Sequence, residues 1–165
     1  MTFTAFCQWL ANTGLSTAMH ESEWAEPLFE GTHVLALTLF FGFTAMLDLR
    51  LLGLLYKRRR ASEVHDQLVP WMKGAFAIMV ISGVLLWMTD PLTFYSVPVF
   101  KIKFILLLLA GVNIWIFNHT LRGKFSEWDL GDTPVRAKVA AICSLSLWIG
   151  VIATGRLVAY LIPPP

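Results

Sequence analysis

Four long apolar stretches divide this chain, and each is bounded by polar residues or proline. They cover roughly residues 29–56, 69–88, 99–118 and 135–162. A helix that crosses a bilayer needs about 20 mainly apolar residues, so each stretch is long enough to be a span. The runs are too long and unbroken for the alternating strands of a barrel. The pattern therefore predicts an all-α fold: an integral membrane bundle of four transmembrane helices. Asp90-Pro91 ends the second stretch, Pro98 and Pro134 open the third and fourth, and a triple proline closes the chain. Before the first span, Phe3, Phe6, Trp9 and Leu10 recur at helical spacing, which predicts a short helix lying along the outer surface. The whole chain, 1–165, reads as one membrane domain with a surface segment over 1–26.

Composition agrees with the pattern. Hydrophobic residues make up 56% of the chain and charged residues 15%, against about 25% charged in soluble domains, and the mean hydropathy is +0.64. The net charge of +2 leaves no broad basic footprint for nucleic acid. Charge placement adds orientation. Ten of the 13 Lys and Arg residues lie on one predicted side, including Arg50, Lys57, Arg58, Arg59, Arg60 and Lys73 around the first connection. Arg122, Lys124, Arg136 and Lys138 surround the third connection on the same side. Positive charge favours the cytoplasmic face, so the acidic N-terminal tail, the 89–98 turn and the C-terminus are expected outside. Trp24, Trp71, Trp87, Tyr95, Trp128 and Tyr160 fall near the expected interfaces, as an aromatic belt does.

Ionisable residues inside a span are costly and are functional candidates by default. At about 100° per residue, Glu30, His33, Leu37, Phe41, Thr44 and Asp48 form one inclined stripe facing the bundle interior. Lys101, Lys103 and Arg156 break the cytoplasmic bias and fall at the outer level of Glu30 and His33. Lys101 and Lys103 project about 200° apart on a helix, so one is expected to face inward and the other to snorkel. The resulting candidate is an outer-side pocket of Glu30, His33, Lys101 or Lys103, and Arg156. In it, His33 can ligate a metal and the cations can hold haem propionates or a quinone head group. The competing reading is an ion-pair cluster that only neutralises charge.

His119 is the second candidate metal ligand, at the cytoplasmic end of the third span. It stands about 27 Å along the helix from Lys101, so His33 and His119 cannot share one iron. His20 and His65 are conceivable second ligands, though neither has a recognisable spacing; otherwise His119 is an interfacial residue at a helix C-terminus. Asn113 reads as a bridge between helices, and Asp48 and Arg50 as inner-end charges. Cys7 and Cys143 have no metal-type spacing and are not expected to pair. No zinc-protease, nucleophile-elbow, Walker or dinucleotide motif is present, which argues against a hydrolase, an ATP-driven pump or an enzyme acting alone.

Several segments carry a resemblance. Glu21-Ser-Glu-Trp24, Pro27-Leu-Phe-Glu30, His33-Val-Leu-Ala-Leu37, Leu47-Asp48-Leu-Arg50-Leu-Leu-Gly53, Phe100-Lys-Ile-Lys103, Ala110-Gly-Val-Asn113, Asn118-His119 and Gly155-Arg156-Leu-Val-Ala-Tyr160 resemble a bacterial family of small four-helix membrane proteins. Most of that family has no assigned function. Its shape is loosely similar to copper-resistance D membrane domains and small b-type cytochromes. The resemblance places His33, Asp48, Arg50, Lys101, Lys103, Asn113, His119 and Arg156 at family motif positions, and leaves out His20 and His65. It implies a multi-pass protein of the bacterial inner membrane. The expected function is a subunit of a larger membrane complex, in contact with lipid and other subunits, carrying an outer-side haem b or quinone site for electron transport. The alternatives are a purely structural accessory subunit without cofactor, and a copper or small-ion handling protein.

Overall fold

A computed structural model describes residues 3–121, 123, 125–128 and 132–161. Arg122, Lys124 and the closing prolines therefore lie outside the described residues. The described chain is helical, with α1 (Phe3–Ala11), α2 (Gly14–His20), α3 (Ala25–Leu51), α4 (Ala61–Thr89), α5 (Pro91–Ser96), α6 (Pro98–Thr120), α7 (Phe125–Trp128) and α8 (Val135–Leu161). The helices α3, α4, α6 and α8 are each long and apolar enough to cross a membrane.

Helix ends follow from local chemistry. Thr13 caps α2 by accepting from the Ser16 N–H, and Asp90 caps α5 by accepting from the Thr93 N–H. Pro91 and Pro98 occupy first-turn positions, where a missing N–H costs nothing. Two expectations shift. The single N-terminal surface helix is two, broken at Asn12-Thr13, and the 89–98 turn contains the short helix α5. The helices also part from the apolar windows. α3 stops at Leu51 rather than near Tyr56, and α4 starts at Ala61, eight residues before Val69. The first turns of α4 are polar, so hydropathy does not reveal them.

The antiparallel neighbours α3 and α4 pack together, as do α6 and α8, and α3 joins the two pairs by packing on α8. α4 and α6 have little close backbone packing between them, and meet through the Trp87 and Phe100 rings. Phe40, Met79, Ala110, Trp148 and Val151 fill the middle of the bundle. The Phe40 and Trp148 rings meet edge to face at 4.6 Å. Much of the remaining apolar surface, including Leu108, Ile81 and Trp71, stays exposed on the bundle exterior. That is the arrangement expected where lipid rather than water is the solvent.

The surface helices close one end of the bundle. The Ser16 hydroxyl donates to the Met88 carbonyl at 2.6 Å, and the His20 Nδ1 lies 3.1 Å from the Thr89 carbonyl. Phe3 contacts Tyr95 at 4.9 Å and Trp87 at 6.2 Å. Cys7, on the inner face of α1, is fully buried, and burial raises its thiol pKa above the usual value. Both cysteines are free.

Candidate functional site

One polar group from each of three spans, with a glycine of the fourth, meets near the end of the bundle that α1 and α2 cover. His33 projects from α3 against α4. Its Nδ1 lies 2.9 Å from the Met79 carbonyl and 3.3 Å from the Ser82 hydroxyl. A carbonyl only accepts, so this contact assigns the proton to Nδ1 and leaves Nε2 as an acceptor. Ser82 itself donates to the Ile78 carbonyl at 2.7 Å, which leaves its oxygen free to accept from the imidazole. Gly83 makes the close approach possible. A Cβ there would stand 2.9 Å from His33 Cε1 and 3.1 Å from Nδ1, inside van der Waals contact.

Lys103 enters from α6. Its Nζ lies 3.5 Å from where a Cβ on Gly155 of α8 would stand, and its charge acts on the His33 imidazole. Lys101 takes the opposite direction and lies over the Tyr95 ring at 4.5 Å. The divergence expected from two positions on one helix is present: Lys103 faces inward, while Lys101 is exposed.

Trp87 lies further along α4, toward α1. It stands one helical turn beyond Gly83 and is flanked by Phe3, Phe6 and Phe100. Its indole N–H is buried and has no hydrogen-bond partner among the described residues. A buried donor left unpaired costs about 1–3 kcal/mol, so such a group calls for an explanation.

The remaining candidates lie elsewhere. Glu30 is exposed, one turn above His33 and beyond the packed part of the stripe. Arg156 is exposed and turned along its own helix, donating to the Tyr160 hydroxyl at 3.1 Å and stacking on that ring. Among the described residues, an ion pair joins Arg60 to Glu63 and His65 Nδ1 contacts the Asp66 carboxylate at 2.9 Å, while no ion pair joins Glu30, a lysine and Arg156. His119 is exposed on α6, where its Nδ1 bonds the Trp115 carbonyl at 2.9 Å and its ring lies 4.7 Å from the indole. His20 lines a surface cleft with Thr17, Thr89 and Asp90. His65 is buried against Phe125 at the opposite end. Among the described residues, no three His, Cys, Asp or Glu side chains gather as a metal site.

The opposite end holds a second polar layer. Asp48 is 6% exposed, lies near Ser144 on α8, and has its Oδ2 unpartnered among the described residues. Asn113 bridges α6 to α8 by donating to the Ala140 carbonyl at 3.0 Å, as its mid-span position predicts. The inward stripe of α3 is thus present from His33 through Leu37, Phe41 and Thr44 to Asp48.

Sequence reasoning reached His33 and Lys103 through their charge within apolar spans. It missed Gly83, Ser82, Gly155 and Trp87. Trp87 reads as an interfacial aromatic, and small residues on a span carry no charge to mark them. Only the register between helices places them beside His33.

The fold and its exposed apolar exterior define a multi-pass membrane protein built on a four-helix bundle. Residues 24–161 match a family of unknown function, DUF6644, and the chain belongs to that family. The match covers all four spans and the whole polar layer. The chain is also similar to an uncharacterised protein of Synechocystis, at 27% identity over 94 residues, covering 51% of this chain and 29% of that relative. The chain therefore spans less than a third of the length of that curated relative. No solved structure matches it.

Proposed function

We propose that this protein is an electron-transfer subunit of a bacterial inner-membrane complex, and that it holds a quinone head group between α4 and α6 at the His33 layer. The threading argued from the basic residues sets this layer on the outer side, with both termini outside. The observation that carries the reading is that His33 Nε2 and the inward Lys103 ammonium both keep unused hydrogen-bonding capacity inside the apolar bundle, with the orphaned Trp87 N–H one helical turn further along α4.

Each group has a role that its chemistry fits. Lys103 and Trp87 are donors suited to quinone carbonyl oxygens. His33, held through Nδ1, presents Nε2 to accept from a hydroxyl and to hold a proton. The backbone anchor at Met79 fixes the ring orientation, so little side-chain entropy is lost when a ligand arrives. The sparse backbone packing between α4 and α6 makes that face of the bundle the side from which a lipid-soluble molecule would approach. A quinone supplies the carriage of electron pairs with protons; the chain supplies binding, orientation and proton exchange.

A b-type haem suits these residues less well. Its iron would take His33 Nε2, but among the described residues no second histidine faces His33. His119 lies at the far end of α6 with its Nδ1 engaged. Copper is weaker still, since soft thiolate or thioether clusters are what copper prefers.

The test is purification in mild detergent, with absorption spectroscopy and mass spectrometry of extracted cofactors, for wild type and for His33→Ala and Lys103→Met. Quinone retained by the wild type and lost by both variants supports the reading. A Soret band lost in His33→Ala would replace quinone with haem. Neither quinone nor a Soret band in the wild type would overturn the redox assignment and leave the structural-subunit alternative. Membership of a complex is checked separately, by partner subunits co-purifying at fixed stoichiometry.

A further inference from the structure

The connection between α3 and α4 is short, basic and tightly constructed. Leu54 and Leu55 donate their N–H groups back to the Leu49 carbonyl at 2.9 and 3.2 Å. Gly53 and Tyr56 adopt positive φ values of 74° and 50°, which turn the chain sharply. Only glycine takes such a value freely, so Tyr56 is held there by its surroundings. Arg59 donates its N–H to the Tyr56 carbonyl at 2.9 Å, and Arg50 anchors Arg59 in turn. Arg50 is 5% exposed, and its Nε and Nη2 both donate to the Arg59 carbonyl, at 2.9 and 2.6 Å. A buried cation spent on one backbone carbonyl is a costly way to close a loop that solvent alone would tolerate.

The closure fixes a run of four consecutive basic residues, Lys57 to Arg60, with all four exposed. Arg60 pairs with Glu63 at 4.0 Å, and Arg59 reaches Gln67 at 3.3 Å and the Tyr56 ring at 5.9 Å. Lys57 and Arg58 have no acidic partner among the described residues. Just before the run, Leu54 is 66% exposed and Tyr56 is also open. The loop therefore presents an apolar edge beside two uncommitted cations. It sits directly between two spans, too short to reach beyond the membrane surface.

We infer that this loop is a binding site for the phosphate of an anionic phospholipid, with Lys57 and Arg58 on the head group and Leu54 and Tyr56 toward the glycerol and upper acyl chain. A soluble polyanion has no use for the exposed leucine, and the chain's net charge of +2 does not favour one. Basic residues clustered at a span end each contribute about 1 kcal/mol toward an anionic surface, or about fivefold in affinity per charge. The pinned backbone spares the ordering cost that a flexible basic segment would incur on binding. This inference does not depend on the quinone reading.

The experiment uses delipidated full-length protein in neutral detergent. Short-chain phosphatidylglycerol, short-chain phosphatidylcholine or inorganic phosphate is titrated while thermal stability and native mass are recorded. Phosphatidylglycerol should bind and stabilise, phosphatidylcholine should do so far less, and inorganic phosphate should have no effect. Lys57→Gln with Arg58→Gln should weaken phosphatidylglycerol binding by about 25-fold, at about fivefold per charge. Arg136→Gln with Lys138→Gln, at the start of α8, should leave it within about twofold, since those charges lie outside this loop. Equal binding of both lipids would overturn the inference. So would undiminished binding by the first double variant, an equal loss in the second, or a phosphate effect matching that of the lipid.

Discussion

Gly83→Ala places one methyl group where the His33 imidazole now lies. The added Cβ would meet Cε1 at 2.9 Å and Nδ1 at 3.1 Å, so the ring must move. Moving it breaks the 2.9 Å bond to the Met79 carbonyl. The lost hydrogen bond is worth about 0.5–1.5 kcal/mol, and overpacking adds roughly 1–3 kcal/mol. Alanine recovers up to about 1 kcal/mol through helix propensity, less in a membrane, where the unfolded reference keeps much of its helix. The net expectation is a destabilisation of about 1–3 kcal/mol, combining these overpacking and hydrogen-bond contributions. Gly74→Ala is the matched control. It lies in the same helix, and nothing stands within 4 Å of its would-be Cβ, so it should be neutral or slightly stabilising. The assay is reversible unfolding in mixed micelles with increasing denaturing detergent, followed by tryptophan fluorescence. In the same preparations, Gly83→Ala should also lose bound quinone while Gly74→Ala keeps it. Equal stability of the two variants, or full quinone retention by Gly83→Ala, would refute the argument that Gly83 exists to seat His33.

Other consequences follow from the same geometry. Arg50→Ala leaves the Arg59 carbonyl without both donors; the loss should be about 2–4 kcal/mol, in line with broken buried hydrogen bonds to charged groups, and Arg50→Lys should recover only part of it in the same unfolding assay. Asn113→Ala removes the α6–α8 bridge to Ala140 and should cost about 0.6–1.7 kcal/mol, the range for hydrogen bonds between membrane helices. Cys7 should alkylate far more slowly in the folded protein than in denatured chain, because burial both shields the thiol and raises its pKa above the ordinary 9.0. The folded state keeps that proton where the unfolded chain has released it, so the contribution of Cys7 to stability is full below pH 9.0 and declines as pH rises through the folded value. Equal alkylation rates in the two states, read by mass spectrometry, would contradict the docking of α1.

The parts of this protein that were legible in its sequence are those that bilayer physics imposes residue by residue. Apolar length marks α3, α4, α6 and α8, and helical periodicity puts His33, Thr44 and Asp48 on one inward stripe. The opposed directions of Lys101 and Lys103 follow from spacing alone. The site itself was only half legible. Whether Glu30 and Arg156 join His33 depends on where the packed bundle ends and on a local partner, Tyr160, that satisfies Arg156 on its own helix. The seat at Gly83 and the orphan N–H of Trp87 depend on the register between α3 and α4, which no single-helix period encodes. The polar first turns of α4 were hidden for a simpler reason: they extend past the apolar window, and hydropathy sees only the part that must face lipid.

The most direct test of the central claim is photolabelling with a quinone analogue that carries a light-activated group on its ring, followed by peptide mapping of the crosslinks. The account predicts labelling of α4 around Gly83–Trp87 and of α6 around Phe100–Lys103, competed by unlabelled quinone and abolished in His33→Ala. Labelling confined to the Asp48 end of the bundle, or labelling at the predicted peptides that persists unchanged in His33→Ala, would contradict it.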